Sequence, residues 1–220
     1  GIPYSVKARG ADIHHWGSQR GTRKMVLRAG EGAAGLLAVS DAMRRSMVRM
    51  GMDEGKIRVH YTGVDLDTFE LADRAEAMAT LDFNGPVVLC VGALIPRKGQ
   101  DLLVRALPML PDVTLLLAGQ GQYRRTLENL AEELGVERRI GFLGSVPHHK
   151  LPRIFAAADV MALPSASEGL ANAWVEALAC GTPIVISDVG GARELLDRPE
   201  AGQIVDRDPQ AIATAIQAIL

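Results

Sequence analysis

Aromatic residues are scarce in this chain. Phe, Trp and Tyr make up 4% of the 220 residues, too few for the stacked aromatic surfaces that bind the bases of single-stranded nucleic acid. The formal net charge of −2 gives no sign of a basic surface for a phosphate backbone. No apolar run approaches the roughly 18 residues of a membrane-spanning helix, and the first residues do not resemble a signal peptide. The composition therefore favours a globular protein that binds neither nucleic acid nor the bilayer interior.

Cysteine and metal-binding motifs are also sparse. The two cysteines, Cys90 and Cys180, fall in a predicted strand and at a predicted helix end, and they form no C-x-x-C motif. We interpret them as small buried thiols of a reducing compartment. The histidines occur as the adjacent pairs 14–15 and 148–149, apart from His60, and neighbouring residues do not converge on one metal without special backbone geometry. We therefore predict no protein-bound metal.

From residue 86 onward, short apolar segments alternate with helical ones, of which the first two are predicted over Gly99–Leu110 and Gln122–Leu134. Segments such as Val87–Val91 and Ile184–Ser187 are almost continuously apolar, which is typical of parallel strands buried on both faces. This rhythm predicts an α/β fold, a Rossmann-like parallel sheet covered by helices on both faces. Residues 1–64 contain three further strands, and Ser40 predicts the start of a helix that runs to Met50. A non-periodic stretch follows. The expected organisation is a first α/β unit over 1–64, a linker over 65–85 and a second α/β domain over 86–220.

Every strand-to-helix loop of such a sheet opens on the same edge, where ligands bind. Arg97, Lys98 and Glu168 all fall in these predicted loops, as do several glycines. This convergence predicts a single ligand crevice.

The stretch from Pro164 to Pro183 carries the strongest chemical signal. Glu168 lies in a loop after a predicted strand, and Glu176 lies about one turn inside a predicted helix that starts near Asn172. Carboxylates accept hydrogen bonds from sugar hydroxyls, and a helix start offers N–H groups to a phosphate. A sugar nucleotide needs both kinds of contact. The alternative is that Glu168 supports its loop and Glu176 is an ordinary solvated helix residue.

Two further loops carry candidate phosphate contacts. Arg97 and Lys98 stand directly before a predicted helix, where the helix dipole disfavours cations unless an anion is bound there. The alternative is a solvated basic pair. The sequence from Gly119 to Gly121 begins a dinucleotide-binding fingerprint, but Arg124 occupies its last glycine position. NAD binding is therefore not expected, although the glycines permit close approach of a ligand.

Several segments together resemble family-four retaining glycosyltransferases of the glycogen-synthase and mannosyltransferase type, which have the GT-B fold. The segments are V-G-A-L-I-P-R-K-G (91–99), L-A-G-Q-G (117–121), G-F-L-G-S-V (141–146) and E-G-L-A-N-A-W-V-E-A-L-A-C-G-T-P (168–183). The last contains a pair of glutamates with seven residues between them, as in the family. Residues 1–64 resemble the end of the family's N-terminal domain, so we expect a chain truncated at its N-terminal side.

The resemblance implies roles for individual residues. Lys98 would hold the donor diphosphate, with Arg97 as a second cation, and Glu168 would bind hydroxyls of the transferred sugar. Lys98 and Glu168 are the implied catalytic residues. The remaining contacts would come from the N–H groups of Gly169, Leu170 and Ala171 to the sugar, from Glu176 to the ribose, and from the loop around Val146 to the base.

Two positions depart from the family pattern. Ala93 stands where many members have an arginine, and Arg9 stands where many have a histidine. The first departure puts the affinity for the diphosphate in question, unless the forked guanidinium of Arg97 supplies the missing contact.

The implied reaction transfers a sugar from a nucleotide sugar to a glycan or lipid-linked acceptor, with retention of configuration. The nucleotide sugar is a substrate, and no cofactor is expected. The expected location is the cytoplasm, with possible contact at the inner face of the membrane through the absent half. Two other functions stay open: a nucleotide-sugar-binding module without turnover, and a nucleotide-sugar epimerase of the same architecture.

Overall fold

The computed structural model describes residues 2–78 and 85–220. They divide into two compact units, which we call the first and second unit. Of the described residues, those within 1–63, 167–172 and 189–195 form the first unit, and those within 64–166, 173–188 and 196–220 form the second. The predicted linker 65–85 includes residues 79–84, which lie outside the described residues.

The described residues form parallel strands and α-helices in regular alternation. The strands are β1 (Ser5–Ala8), β2 (Gly35–Ala38), β3 (Ile57–Val59), β4 (Val87–Val91), β5 (Thr114–Ala118), β6 (Ile140–Gly144), β7 (Val160–Leu163), β8 (Ile184–Ser187) and β9 (Gly202–Val205). The helices are α1 (Arg20–Gly32), α2 (Asp41–Met50), α3 (Arg74–Met78), α4 (Gln100–Ala106), α5 (Arg124–Glu133), α6 (Leu151–Ala157), α7 (Asn172–Ala179), α8 (Ala192–Leu195) and α9 (Pro209–Ile219). The predicted α/β class, with parallel sheets flanked by helices, is confirmed.

The first unit is built on a three-stranded parallel sheet in the order β1-β2-β3. Helix α2 follows β2 and begins directly after Ser40, as the sequence predicts. The Ser40 Oγ accepts a hydrogen bond from the Met43 N–H at 3.1 Å and so caps the helix. Met43 and Met47 from α2 are buried with Leu36 of β2. The apolar side of α2 is therefore buried in the first unit, where the helix lies against β2.

The second unit contains a six-stranded parallel sheet in the order β6-β5-β4-β7-β8-β9. Numbered within the unit this is the order 3-2-1-4-5-6 of a doubly wound sheet, whose strand order reverses between β4 and β7. Strands β7 and β8 are fully buried, as are Trp174 and Phe155 from the helices that follow β7 and β6. The general rule for such sheets places ligands at the carboxyl ends of the two central strands, β4 and β7.

Some helix bounds differ from the sequence prediction. The helix predicted over Gly99–Leu110 ends at Ala106 and continues as a 3₁₀ turn over Leu107–Met109, because Pro108 has no N–H for the α-helical hydrogen bond. The helix predicted from Gln122 begins at Arg124. The short helix α3 was not predicted, because five residues are too few to show a helical period.

The two thiols should be unreactive in the folded protein. Cys90 and Cys180 are 1% and 5% exposed, and burial raises their pKa values to about 12 and about 11. Since the thiolate is the reactive form, at pH 8 a pKa of 11 leaves roughly one thiol in a thousand ionised. A chromogenic disulfide reagent at pH 8 should detect no thiol until denaturant is added, and then two. Rapid labelling of the native protein would contradict this burial.

Candidate functional site

The loops that follow β4 and β7 meet in the second unit. The Ala166 N–H donates to the Arg97 carbonyl at 2.8 Å, and a β-carbon placed on Gly99 would lie 2.3 Å from the Pro164 carbonyl oxygen. The two loops therefore contact each other through their backbones at the point where the strand order reverses. The predicted convergence of the candidate loops holds for this pair.

Lys98 lies at the end of a 3₁₀ turn, Pro96–Lys98, within the loop after β4. Its side chain passes beside Gly92, where an added β-carbon would lie 3.6 Å from Cε and 3.9 Å from Nζ. The loop is tied down by the buried Gln100, whose side-chain amide donates to the Ala93 carbonyl at 2.9 Å. Lys98 is half-buried and Arg97 is exposed, so the loop presents two cations at different depths.

Glu176 is the fifth residue of α7 and is 8% exposed. Its Oε1 lies 3.1 Å from Nε2 of His148, whose side chain is 66% exposed. The imidazole also packs against the buried ring of Phe69 at a centroid distance of 4.9 Å. Val146 is half-buried and lies two residues before His148, in the loop after β6. The second unit thus brings the loop after β6 into contact with Glu176.

The positions of His148 and Phe69 were not predicted from the sequence. The histidine pair was interpreted only as candidate metal ligands, and the stretch around Phe69 as part of a linker. Phe69 is 1% exposed and also packs on Phe155, so it is part of the core. The contact between His148 and Glu176 joins residues 28 positions apart, and no local pattern predicts a pair at that separation.

Glu168 belongs to the first unit, together with Gly169, Leu170 and Ala171. Glu168 is 9% exposed, and the three residues after it are buried. The Gly169 carbonyl accepts hydrogen bonds from the Ser40 hydroxyl at 3.3 Å and from the Gly191 N–H at 2.8 Å. The backbone of this segment is therefore held at defined positions within the first unit.

Within residues 2–78 and 85–220, Glu168 and Glu176 are the two buried residues with charged side chains. Burial removes a carboxylate from water and is costly unless the group is paired or hydrogen-bonded; Glu176 lies beside His148. Ser165, in the loop after β7, is 0% exposed. A serine nucleophile must be accessible to its substrate, so this burial does not suit that role. The burial of Glu176 argues against an ordinary solvated helix residue at that position, and the ligand contacts of both glutamates stay a prediction.

No group of three or more His, Cys, Asp or Glu side chains in the described part of the chain is placed to hold a metal ion. The prediction that the protein needs no metal and no cofactor stays a prediction. None of the helices in the described residues is long and apolar enough to cross a bilayer.

Doubly wound sheets of this strand order bind their ligands, often nucleotides, at the carboxyl ends of the strands. Residues 73–220 match the family described as Glycosyl transferases group 1, and residues 4–68 match the family described as Glycosyltransferase Family 4. The chain belongs to the first of these families, whose match covers more than half of it, and carries a segment that matches the second. The resemblance derived from the sequence is confirmed.

Curated relatives lie in the same family. A GDP-mannose-dependent α-(1-6)-phosphatidylinositol monomannoside mannosyltransferase of Mycolicibacterium smegmatis is 40% identical over 72% of this chain and 45% of its own length. A D-inositol 3-phosphate glycosyltransferase of a Mycobacterium species is 43% identical over 70% of this chain and 37% of its own. The chain thus spans less than half the length of these relatives.

Solved structures confirm the GT-B fold class. HepE of Anabaena, in complex with UDP and glucose, superposes with a TM-score of 0.87 at 27% identity, over 98% of this chain and 61% of that one. Sucrose-phosphate synthase from Thermosynechococcus elongatus superposes with a TM-score of 0.89 at 30% identity, over 100% of this chain and 59% of that one.

Proposed function

We propose that this chain carries the donor-binding part of a glycosyltransferase that moves a sugar from a nucleotide sugar to a glycan or lipid-linked acceptor. The observation that carries the proposal is the burial of Glu168 and Glu176 to 9% and 8% exposure, from one motif after the central strand β7. Carboxylates accept hydrogen bonds from hydroxyl groups, so the two side chains suit the hydroxyls of a sugar and of a ribose. The names of the relatives support the same class, since they include a GDP-mannose-dependent transferase, and one neighbour was solved with UDP and glucose.

The residue roles are part of the proposal. Glu168 accepts hydrogen bonds from hydroxyls of the transferred sugar, and the N–H groups of Gly169, Leu170 and Ala171 donate to it. In the second unit Lys98 and Arg97 contact the diphosphate, Glu176 binds the ribose, and the loop around Val146 contacts the base. The forked guanidinium of Arg97 replaces the arginine that many family members carry at the position of Ala93.

We further propose that the reaction retains the anomeric configuration, without a covalent intermediate on the protein. The acceptor attacks the anomeric carbon as the bond to the diphosphate breaks, on the face that the diphosphate leaves. A phosphate oxygen of the donor takes the acceptor proton. In this scheme the protein orients the reactants and stabilises the leaving group. Glu168 suits the first contribution and Lys98 the second.

Two other functions compete with transfer. A binding module without turnover is favoured by Ala93, because the missing arginine would weaken the contact with the diphosphate. An epimerase of the same architecture would convert the donor without any acceptor. Turnover in the presence of acceptor supports the transferase, whereas a donor epimerised alone supports the epimerase.

Calorimetric titration with UDP, GDP and ADP sugars tests the donor site. We expect saturable binding of one nucleotide class, weakened about tenfold or more by Glu176→Ala, because a charge-assisted hydrogen bond to the ribose is worth roughly 1.5–3 kcal/mol. The matched control is Glu137→Ala, which removes an exposed carboxylate from the turn before β6, at the opposite edge of the sheet.

A folded protein that binds none of the three classes would contradict the donor site, as would equal affinities for the wild type and Glu176→Ala. The anomeric configuration of the product, read by proton NMR before mutarotation or from the glycosidic linkage, tests retention separately. An inverted product would disprove the proposed stereochemistry and leave the donor site standing.

A further inference from the structure

The N-terminus of α2 is fully occupied by two side chains of the first unit. Glu194, on the short helix α8, accepts hydrogen bonds from the N–H groups of Asp41 and Ala42, at 2.7 Å to Oε2 and 2.8 Å to Oε1. The next amide, that of Met43, donates to the Ser40 Oγ at 3.1 Å. A helix leaves its first N–H groups without partners inside the helix, and here Glu194 and Ser40 together satisfy three of them.

Ser40 also connects this helix end to the acidic loop. Its hydroxyl, 0% exposed, accepts from Met43 and donates to the Gly169 carbonyl at 3.3 Å. The Gly191 N–H, three residues before Glu194, donates to the same carbonyl at 2.8 Å. The Gly169 oxygen therefore has one donor from the α2 cap and another from the segment that carries Glu194.

Fixing this oxygen orients the amide that follows it. The peptide between Gly169 and Leu170 is planar and trans, so its N–H points opposite to its C=O. The hydrogen bonds from Ser40 and Gly191 thus set the direction of the Leu170 N–H, one of the proposed donors to the sugar.

Close backbone contacts limit the movement of the same segment. A β-carbon placed on Gly169 would lie 2.2 Å from the Arg9 carbonyl oxygen, and one on Gly190 would lie 2.4 Å from the carbonyl oxygens of Glu168 and Gly169. No side chain fits at either position without moving backbone. Glu168 and Gly169 are therefore packed between two other backbone segments of the first unit, near Arg9 and near Gly190.

The charges around Glu194 are balanced. Asp41 also lies in the first turn of α2, but its carboxylate pairs with Arg44 at 2.6 Å and with Arg45. The hydrogen bond from Arg44 lowers the pKa of Asp41, so Asp41 is ionised and paired. Burial, and after it the nearby carboxylate of Glu194, raises the pKa of Tyr61. The carboxylate of Glu194 thus accepts hydrogen bonds from two helix amides, next to the positive end of the helix dipole.

We propose that Ser40 and Glu194 are positioning residues that hold the segment Glu168–Ala171 in its sugar-binding conformation from the N-terminus of α2. The inference rests on the proposed function, since it assigns them to the sugar contact of Glu168. Neither residue touches the sugar. Each acts through the Gly169 carbonyl, Ser40 directly and Glu194 by fixing the segment that carries Gly191.

The test uses Ser40→Ala in the full-length protein, with Asp73→Ala as the matched control. Asp73 caps α3 in the same way, accepting from the Glu76 N–H at 3.0 Å. Helix α3 lies within the predicted linker, and its Arg74 pairs with Asp159 at the amino end of β7. Ser40→Ala should lower kcat/KM for the donor about tenfold, the effect of losing a buried hydrogen-bond partner. Amide exchange in residues 166–172 should accelerate in Ser40→Ala and stay unchanged in Asp73→Ala.

Glu194→Gln tests the second residue. Glutamine keeps the size of the side chain but presents one acceptor and one donor to two N–H groups, so we expect the same faster exchange in residues 166–172 and a smaller loss of kcat/KM. Glu194→Asp retains both acceptors and should recover part of the activity. Equal losses in Ser40→Ala and Asp73→Ala would overturn the inference, as would unchanged exchange in residues 166–172.

A double-mutant cycle separates this inference from the proposed function. If Glu168→Gln lowers kcat/KM and Ser40→Ala adds little to it, the two residues act through the same contact. If Ser40→Ala keeps its whole effect in the Glu168→Gln background, the positioning role is wrong while the sugar contact stands. If Glu168→Gln itself has no effect, the proposed sugar contact fails first.

Discussion

Replacing Lys98 with methionine should reduce kcat/KM for the donor by about 10²–10³-fold, the loss seen when one preorganised contact to developing charge is removed. Lys98 is held on the loop after β4, beside Gly92 and half-buried, so its charge acts in a partly dry environment. The leaving diphosphate gains negative charge as the glycosidic bond breaks, and methionine keeps the length of the side chain without the charge. Steady-state kinetics with the full-length protein should show the larger part of the loss in kcat.

The control for this substitution is Arg138→Met. It removes one positive charge from the turn Glu137–Arg139, which precedes β6 at the opposite edge of the sheet. Its kinetics should stay within about twofold of the wild type, since exposed charges farther away than a Debye length are screened. Lys98→Met with unchanged kcat/KM would remove Lys98 from the site. Arg97→Met should then be measured, because it would be the remaining cation of the loop.

Replacing Glu168 with glutamine should reduce kcat/KM about 10–100-fold, which corresponds to the roughly 1.5–3 kcal/mol of a hydrogen bond to a charged group. Glutamine has nearly the same shape, so the fixed backbone around Gly169 should be retained. The binding of a free nucleoside diphosphate, which has no sugar to contact, should be unchanged. The measurement is a pair of titrations, one with the nucleotide sugar and one with the diphosphate alone.

This pair of titrations identifies what Glu168 contacts. Weaker binding of both ligands would indicate a damaged site and contradict a specific contact with the sugar. The matched control is Glu137→Gln, which makes the same chemical change at an exposed carboxylate. It should leave the affinities for the nucleotide sugar and for the free diphosphate unchanged. Thermal unfolding of each variant should be compared, so that a loss of stability is not read as a loss of contact.

Much of the fold could be predicted from local patterns. Buried parallel strands are almost continuously apolar, so β4 and β8 were located to the residue. Ser40 predicted the start of α2, because a side-chain oxygen before a helix satisfies a free amide there. The predicted end of α4 was wrong because Pro108 lacks an N–H, and α3 was not predicted because five residues show no helical period.

The candidate site was predicted in part. The spacing of Glu168 and Glu176 and the pair Arg97-Lys98 were visible in the sequence, because loops and helix starts carry recognisable residue types. The contact of His148 with Glu176, on a ring packed against Phe69, was not visible. Contacts of this kind depend on which loops the strand order makes neighbours, and strand order leaves no local trace in the sequence.

The sequence by itself determined the α/β class, most strands and helices, and the loops that carry the charged residues, because these depend on apolar periodicity and turn chemistry over a few residues. The tertiary structure alone decided three things. The order β6-β5-β4-β7-β8-β9 brings the loop of Lys98 against the start of the loop after β7. Residues 167–172 and 189–195 belong to the first unit. Glu194 and Ser40 both cap the N-terminus of α2, although Glu194 lies more than 150 positions after the two amides that it binds. All three depend on packing between segments distant along the chain, which local sequence does not encode.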